Sequence, residues 1–280
     1  MTAILGFNCT DGVLLFADTE MSFSDSGTKS EGDKLRVLRP PHGTIITGSA
    51  GTVDDIEYAN FRLAEELLQK PPTSGAGIQS QLEKLTAKIA NKHGRWLDID
   101  MLIGIRPHTT KQTLLFKWTG DLVYPLREEF RACAGSGVIQ LDPLLRRIDF
   151  TGNAEAMLWY GTKLMLEAKR MVQGVGGKTE ALLLRHADSG YTQYPTEMMD
   201  RIEYLVIEME RVGNERLIPF IAGTEVRQGD TELALRNIKG ALSSIGDKYQ
   251  AIIRPQIHPI VQSNLPSPKA DPSPPPPLPE

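Results

Sequence analysis

The sequence predicts an α+β fold in which two packed antiparallel sheets carry helices on their outer faces. Blocks of β-prone segments alternate with segments that have the apolar period of a helix, which is the order that such a fold requires. The chain has 280 residues, of which 40% are apolar and 24% charged. A globular chain of this length and composition can bury a sizeable core.

The first block of strands occupies the N-terminal fifty residues. Asp11-Gly12 lies between two apolar runs, which is typical of a hairpin turn. A polar loop rich in Ser, Gly and Asp is expected over residues 22–33. The four predicted strands of this block are 2–9, 13–18, 34–38 and 44–48.

Two helices are predicted next. Thr52 can cap the first of them, with Asp55 three residues later, and Pro71-Pro72 ends its pattern. The apolar stripes of the two helices are Ile56, Ala59, Leu63 and Leu67, then Ile78, Leu82, Leu85 and Ile89. The second block of strands follows at 99–105, 113–118 and 130–134, and Gly135-Ser136-Gly137 closes it.

A further helix, a strand and another helix complete the pattern. The strand is predicted over 180–186, between the two helices. The first helix starts near Asn153, with Met157, Gly161, Leu164, Ala168 and Met171 on one face. The second turns Met198, Ile202, Leu205 and Met209 inward.

Three segments are expected along the chain. Residues 2–212 form the main domain, and 213–254 form a helical extension whose apolar positions are Leu235, Ile238, Leu242 and Ile245. Residues 255–280 contain ten prolines, which remove amide donors and favour an extended, polyproline-like tail. A spacer is the favoured role of this tail, and a docking peptide for an aromatic groove is the alternative.

Composition excludes several functional classes. The net charge of −4 gives no reason to expect a nucleic-acid partner, and no apolar run is long enough to cross a membrane. Cys9 and Cys133 are too few for a disulfide framework, and the N-terminus lacks the features of a signal peptide, so a cytoplasmic location is expected. The five histidines lack metal-ligand spacing, and no motif calls for a cofactor.

Thr2 directly follows the initiator methionine and becomes N-terminal once Met1 is removed, as is usual before a small side chain. The exposed residue then carries a hydroxyl nucleophile together with its own base, because an α-amine titrates near about 7.7–8.0. A cation is needed to lower the pKa of the hydroxyl, and a carboxylate is needed to hold that cation. Lys34 and Asp18 are of the required types.

The spacing of these residues resembles that of a known family. Asp18 lies sixteen residues after Thr2, Lys34 sixteen after Asp18, and Gly48 fourteen after Lys34. Together with the apolar stretch 11–18 and the Gly-Ser-Gly turn, this pattern is similar to the proteasome β-subunits and their bacterial ring-peptidase relatives, the N-terminal-nucleophile threonine hydrolases. The resemblance covers residues 2 to about 212 and implies a four-layer αββα sandwich.

The resemblance implies a role for each matched residue. Lys34 would stabilise the alkoxide of Thr2, and Asp18 would keep Lys34 charged. The amide of Gly48 would be an oxyanion donor, because a residue without Cβ lets substrate approach closely, and Ser136 would hold the N-terminal amine. The residues that would border the specificity pocket are Met21, Arg36, Ile46 and Ala50.

The chain departs from the family at the second support of the amine. The family has Asp-x-x-Ser-Gly after the long helix, whereas this chain has Val172 to Gly177 without a carboxylate. A rival register over 186–190 puts His186 at that position. The first register is preferred, because 180–186 reads as the strand that must follow the helix and 188–190 as its turn.

The implied function is a threonine-type peptidase that acts on peptide or unfolded protein and associates with itself into a ring, with an ATPase as a further partner. Two alternatives stay open. The chain could be a catalytically silent ring subunit kept for assembly or gating, which retention of Met1 would favour. It could instead be a small-molecule amidase of the same fold, which a monomeric state would favour.

Overall fold

A computed structural model gives the fold of the chain and describes residues 2–22, 29–70, 74–110, 112–126, 131–148, 151–186, 190–221 and 231–257. The strands are β1 (Ile4–Cys9), β2 (Gly12–Asp18), β3 (Glu20–Ser22), β4 (Lys29–Glu31), β5 (Leu35–Leu38), β6 (Gly43–Gly51), β7 (Ile99–Pro107), β8 (Leu114–Thr119), β9 (Leu122–Pro125), β10 (Arg131–Ala134), β11 (Thr179–Arg185) and β12 (Tyr191–Tyr194). The helices are α1 (Val53–Glu66), α2 (Gly75–His93), α3 (Val138–Leu145), α4 (Ala154–Met171), α5 (Thr196–Val212), a π-helical turn (Gly213–Leu217), α6 (Ile218–Ile221) and α7 (Thr231–Ile257).

Two five-stranded antiparallel sheets form the centre of the molecule. Their strand orders are β10-β1-β2-β11-β12 and β5-β6-β7-β8-β9, and a separate two-stranded ribbon pairs β3 with β4. Helices α1 and α2 pack on the second sheet, and α3, α4, α5 and α7 cover the first. The predicted four-layer αββα sandwich is therefore confirmed.

Three apolar layers hold the sandwich together. Alternate residues of β2 point to opposite faces, as the two-residue period of a strand requires. Leu14 and Phe16 pack toward the helices, whereas Val13, Leu15 and Ala17 pack between the sheets. All of β2 is buried, so the strand that ends at Asp18 is fixed from both sides.

Gly161 lets helix α4 lie close to β2. A Cβ at this position would lie 2.2 Å from Cε2 of Phe16, whose side chain is fully buried. The glycine that the sequence places on the inner face of this helix is therefore required by close packing against an aromatic ring.

The start of helix α1 differs from the predicted cap. Thr52 is the N-cap residue, but its hydroxyl donates to Oδ2 of Asp98 (3.1 Å) and makes no cap hydrogen bond. Asp55 instead forms a bidentate ion pair with Arg95, in which both nitrogen–oxygen distances are 2.8 Å. The Asp55 carboxylate also accepts the N–H of Asp98. These two residues therefore fix the segment before β7 rather than the helix end.

Several short elements were not predicted from the sequence, and one residue was assigned to the wrong face of its helix. Strands β3, β9 and β12 and helix α3 are short, and short elements carry little periodicity. Ribbon β3–β4 lies at the two ends of the predicted polar loop. Met171 is 47% exposed at the end of α4, so it does not belong to the inner face.

Helix α7 packs against α4 and α5 through its C-terminal half. Its buried positions there are Ile245, Tyr249, Ile252 and Ile253. The helix continues to Ile257, so residues 255–257 are helical and not part of an extended tail. Met1, Pro71-Pro72, the strand residue Phe130 and the tail from 258 onward lie outside the described residues. Among the helices described, none is long and apolar enough to span a membrane.

Candidate active site

A cavity of about 530 Å³ opens where the N-terminal end of β1 meets the second sheet. Thr2, Lys34 and Ser136 line it together, although 134 residues separate the first from the last. The cavity therefore gathers three of the five predicted catalytic residues. Asp18 lies directly behind Lys34, as the hydrogen bonds show.

Thr2 is held by the turn that follows β10. Its nitrogen donates to Oγ of Ser136 at 2.9 Å, and its carbonyl accepts the N–H of Gly137 at 3.2 Å. Gly135 has φ +85°, and a Cβ there would lie 2.5 Å from the Thr2 carbonyl oxygen, so glycine is required. The predicted pairing of Ser136 with the Thr2 nitrogen is present in the structure; that nitrogen becomes an amine once Met1 is removed.

Asp18 joins Lys34 to the strand that carries Thr2. Its Oδ1 accepts both the Lys34 ammonium and the N–H of Ala3 at 2.9 Å, and its Oδ2 accepts the N–H of Gly176 at 3.3 Å. The Asp18 side chain is fully buried, and that of Lys34 is 7% exposed. The carboxylate is thus fixed from three directions, and it fixes Lys34 in turn.

Burial lowers the pKa of Lys34, while the neighbouring Asp18 carboxylate acts in the opposite direction. The Lys34 ammonium also donates to the carbonyl of Glu20 at 2.5 Å. A lysine with a lowered pKa can pass a proton more readily than an ordinary surface lysine. Lys34 also lines the cavity, as Thr2 does.

Asp100 supports the Ser136 turn from the second sheet, and the sequence did not single it out. Its Oδ2 accepts the N–H of Gly135 at 2.7 Å, and its Oδ1 accepts the hydroxyl of Thr119 at 2.6 Å. Lys117 lies 3.4 Å from the same carboxylate. The sequence offered one signal for Asp100: it is the single charged residue in the predicted strand 99–105.

The structure does not place Gly48 at the cavity. A Cβ at Gly48 would lie 2.7 Å from Cγ2 of Ile4, so its missing side chain makes room for the other sheet and not for substrate. The N–H of Ser49 points to β5, where it donates to the Lys34 carbonyl at 3.2 Å. Because amide direction alternates along a strand, the N–H of Gly48 points the other way, into the ladder with Leu102 of β7.

Gly51, three residues after Gly48, lines the cavity. By the same alternation, the N–H of Gly51 points to the side of β6 on which β5 lies. It lies past Gly48, which pairs with Leu35 at the end of the β5–β6 ladder. The N–H of Thr52 bonds to Asp98 on the opposite side, as the alternation requires. Gly51 has φ +130°, and a Cβ there would lie 2.1 Å from the Asp98 carbonyl oxygen. No other residue type fits this backbone without a shift.

Three of the four residues predicted to border the specificity pocket do line the cavity. These are Met21, Arg36 and Ala50. Ile46 does not border the cavity, because its side chain is fully buried in the apolar layer between the two sheets. Helix α1 contributes three lining residues that the sequence did not indicate: Val53, Ile56 and Glu57.

Among the described residues, neither predicted register supplies a second support for the amine; Asp188-Ser189 of the rival register lies outside the described residues. Val172 is buried in the helix-side core, and the loop after it reaches Asp18 through the N–H of Gly176. His186 follows β11 at the end that pairs with Gly12, roughly 20 Å along the strand from Asp18. Its Nδ1 accepts the N–H of Thr113 at 3.0 Å, so it is a structural histidine.

Glu180 is a buried carboxyl behind Lys34. Burial and a hydrogen bond with Asp33 raise its pKa to about 7, while the backbone N–H groups of Lys34 and Leu35 act in the opposite direction. Glu180 therefore contacts the segment that carries Lys34. Across the described part of the chain, no three His, Cys, Asp or Glu side chains are placed to hold a metal ion.

Comparison with solved structures shows that the chain has the fold of Anbu proteins, a mixed α+β sandwich in which helices flank the sheets. Anbu (ancestral beta-subunit) from Yersinia bercovieri is 12% identical with a TM-score of 0.58, over 81% of this chain and 99% of that chain. A Gly-1 mutant of Anbu from Hyphomicrobium sp. strain MC1 is 14% identical with a TM-score of 0.57, at the same coverage. Anbu from Pseudomonas aeruginosa, solved as a helical assembly, is 14% identical with a TM-score of 0.60, over 76% and 96%.

No family model matches the chain, and no curated protein matches it. The assignment to the proteasome β-subunits and bacterial ring peptidases is therefore wrong. The similar structures are Anbu proteins, one of which is described as an ancestral beta-subunit, and at 12–14% identity the likeness concerns the fold alone.

Proposed function

We propose that this protein is an N-terminal-nucleophile hydrolase that cleaves peptide bonds with Thr2 after Met1 has been removed. The observation that supports the proposal is that Thr2, Lys34 and Ser136 line one cavity. Ser136 accepts a hydrogen bond from the Thr2 nitrogen, and Asp18 accepts one from Lys34 and one from the N–H of Ala3, the residue after Thr2. A nucleophile, a proton acceptor and a cation held by a carboxylate are the parts that such a reaction requires.

The reaction begins when the hydroxyl oxygen of Thr2 attacks the carbonyl carbon of the substrate. The hydroxyl proton passes to the free Thr2 amine, which Ser136 orients. Lys34 stabilises the developing alkoxide, and Asp18 holds Lys34 in place. The carbon–nitrogen bond then breaks, the proton moves to the leaving amine, and an ester on Thr2 remains.

The amide of Gly51 is the proposed donor to the tetrahedral oxyanion, in place of Gly48. Backbone N–H groups aimed at the developing charge stabilise such intermediates, and losing one donor typically costs about 100- to 1,000-fold in rate. Water, deprotonated by the same amine, attacks the ester carbon next. Its hydroxide part joins the acyl group, and its proton restores the Thr2 hydroxyl, which releases a carboxylic acid.

Self-association is part of the proposal. An Anbu neighbour was solved as a helical assembly, and this chain exposes large apolar side chains on its helices. Ile139 of α3, Tyr204 of α5 and Ile221 of α6 are 79%, 59% and 73% exposed. We propose these exposed side chains as contact points between copies of the chain. Light scattering that shows only a 30.9 kDa species would favour the amidase alternative.

The test is cleavage of fluorogenic peptides by the purified chain and by variants of the unit. We expect Thr2→Ala to abolish cleavage and Thr2→Ser to retain part of it, because serine keeps the oxygen and loses the methyl that restricts its rotamer. Lys34→Ala should cost nearly as much as Thr2→Ala, since members of a catalytic unit fail together.

Thr10→Ala is the matched control. Thr10 is exposed in the turn between β1 and β2, away from the cavity, so its loss should leave cleavage unchanged. Circular dichroism confirms that each variant is folded. If Thr2→Ala and Lys34→Ala keep the wild-type rate, the threonine mechanism is excluded. If the wild type cleaves nothing although Met1 is absent, the silent-subunit alternative is favoured.

A further inference from the structure

An ion pair links two walls of the cavity. Nη1 of Arg36 donates to Oε2 of Glu57 at 2.9 Å, and Nη2 contacts Oε1, so the guanidinium engages both carboxylate oxygens. Arg36 belongs to β5 and Glu57 to α1, and both side chains line the cavity. They are 40% and 50% exposed, so the pair faces the space that a substrate enters.

Several apolar side chains line the cavity together with this pair. Met21, Ala50, Val53 and Ile56 line the same cavity. Val53, Ile56 and Glu57 are three and four residues apart, which puts them on one face of α1. Substrate side chains that enter here therefore meet apolar groups and this ion pair, whose net charge is zero, beside the other charged groups of the cavity.

The other charged groups of the cavity are already engaged. Lys34 is paired with Asp18, and Asp100 accepts the N–H of Gly135. Asp98 accepts the hydroxyl of Thr52, and Asp33 is hydrogen-bonded to Glu180. Arg36 is therefore the cation that an acidic substrate side chain would meet. Glu57 already occupies the two N–H groups with which Arg36 would bind a carboxylate in bidentate fashion.

We infer that Glu57 determines specificity: by neutralising Arg36 it restricts the cavity to substrates whose side chain beside the attacked carbonyl is uncharged. The inference rests on the proposed function for its catalytic consequences. An acidic side chain must displace Glu57 from Arg36 and leave that carboxylate without its partner. A basic side chain meets Arg36 as a like charge. Glu57 is a specificity residue because it acts on the substrate through Arg36.

The experiment compares kcat/KM for peptides that differ only in the residue before the cleaved bond: leucine, glutamine, glutamate and lysine. We expect the wild type to prefer leucine and glutamine. Glu57→Gln should raise the glutamate-to-glutamine ratio by about fivefold, the upper range for a partly exposed ion pair. Arg36→Gln should raise the lysine-to-glutamine ratio by a similar factor. The charge-swapped variant Arg36→Glu/Glu57→Arg should restore the wild-type preference.

Glu65→Gln is the matched control on the same helix. Glu65 pairs with Arg62, is 49% exposed and does not line the cavity. Its substitution should leave every ratio unchanged. If Glu57→Gln leaves the glutamate-to-glutamine ratio within twofold of the wild type, the inference is wrong, whereas cleavage itself would still support the proposed function.

A binding measurement separates the two claims. In the Thr2→Ala background, calorimetry with the same peptides reports affinity without cleavage. Adding Glu57→Gln should strengthen binding of the glutamate peptide by about fivefold relative to the glutamine peptide. If this switch occurs while the wild type cleaves no peptide, the inference stands and the proposed function fails. Unchanged affinities overturn the inference.

Discussion

Replacing Asp18 by asparagine removes the buried negative charge beside Lys34 with little change in size. The carboxylate is fully buried and Lys34 is 8% exposed, so solvent compensates neither group. Breaking a buried pair by removing one partner typically costs about 3–5 kcal/mol, because the other charge stays buried and unpaired. The N–H of Gly176 also loses its acceptor if the asparagine NH₂ group takes the Oδ2 position. We expect Asp18→Asn to lower the free energy of unfolding by about 3–5 kcal/mol at pH 7.

The pH dependence of this loss follows from Lys34. Burial lowers its pKa below the unfolded value, and loss of Asp18 lowers it further. Between the folded pKa and the unfolded pKa, the unfolded chain binds more protons than the folded one, so stability rises with pH. The penalty of Asp18→Asn should therefore shrink as the pH is raised from neutrality toward 10.

A double-mutant cycle with Lys34→Met measures the pair directly by urea denaturation. We expect the double variant to be more stable than the sum of the two single losses predicts, by about 1–3 kcal/mol. Asp142→Asn is the matched control. Asp142 forms an exposed pair with Arg146, so its loss should cost less than about 1 kcal/mol. An Asp18→Asn loss below 1 kcal/mol, or strictly additive effects, would refute the electrostatic account of this pair.

Three further predictions concern stability. Gly161→Ala should lower the free energy of unfolding by about 1–3 kcal/mol, because the added Cβ would clash with the buried ring of Phe16. Gly240→Ala has open space around the added Cβ and should raise the free energy of unfolding by up to about 1 kcal/mol. The pKa of Glu180 is raised to about 7, so between about pH 4.5 and 7 the folded chain binds more protons than the unfolded chain. The free energy of unfolding should therefore fall as the pH rises through this window. Urea titrations at several pH values should show that Glu180→Gln removes this part of the pH dependence. Deleting residues 258–280 should leave the melting temperature and peptide cleavage unchanged, and a drop in melting temperature would show that this proline-rich segment packs.

The sequence predicted the front of the site because its geometry is local to one hairpin. Ile4 pairs with Ala17 in the β1–β2 ladder, so the end of β2 must lie beside the start of β1. Asp18 then reaches the N–H of Ala3 by register alone. The two-residue period and the Asp-Gly turn were sufficient for this part of the fold.

Whether Gly48 faces the cavity depends on the direction of its amide and not on a count of residues, so the spacing in the sequence could not predict it. Ser49 and Gly51 turn their N–H groups to one side of β6, whereas Gly48 turns its own to the other. The spacing after Lys34 was carried over from other chains, and the turn between β5 and β6 sets which glycine reaches the cavity. Chain spacing alone does not contain that information.

Contacts between different layers of the sandwich could not be predicted from the sequence. Asp100 meets Gly135 from 35 positions away, and Glu57 meets Arg36 from another layer of the sandwich. Neither contact follows from periodicity, because periodicity assigns a face to a residue without naming what lies opposite. The packing of helices and sheets determines these pairs.

The most direct test of the account is mass spectrometry of the N-terminal peptide, taken from protein quenched during turnover of a peptide substrate. The account predicts that Met1 is absent and that a fraction of Thr2 carries the acyl part of the substrate, bound through the hydroxyl oxygen. Thr10→Ala should show the same adduct, and Thr2→Ala should show none. Turnover with Met1 still attached, or with no acyl group on Thr2 under conditions that trap esters, would contradict the claim that Thr2 is the nucleophile.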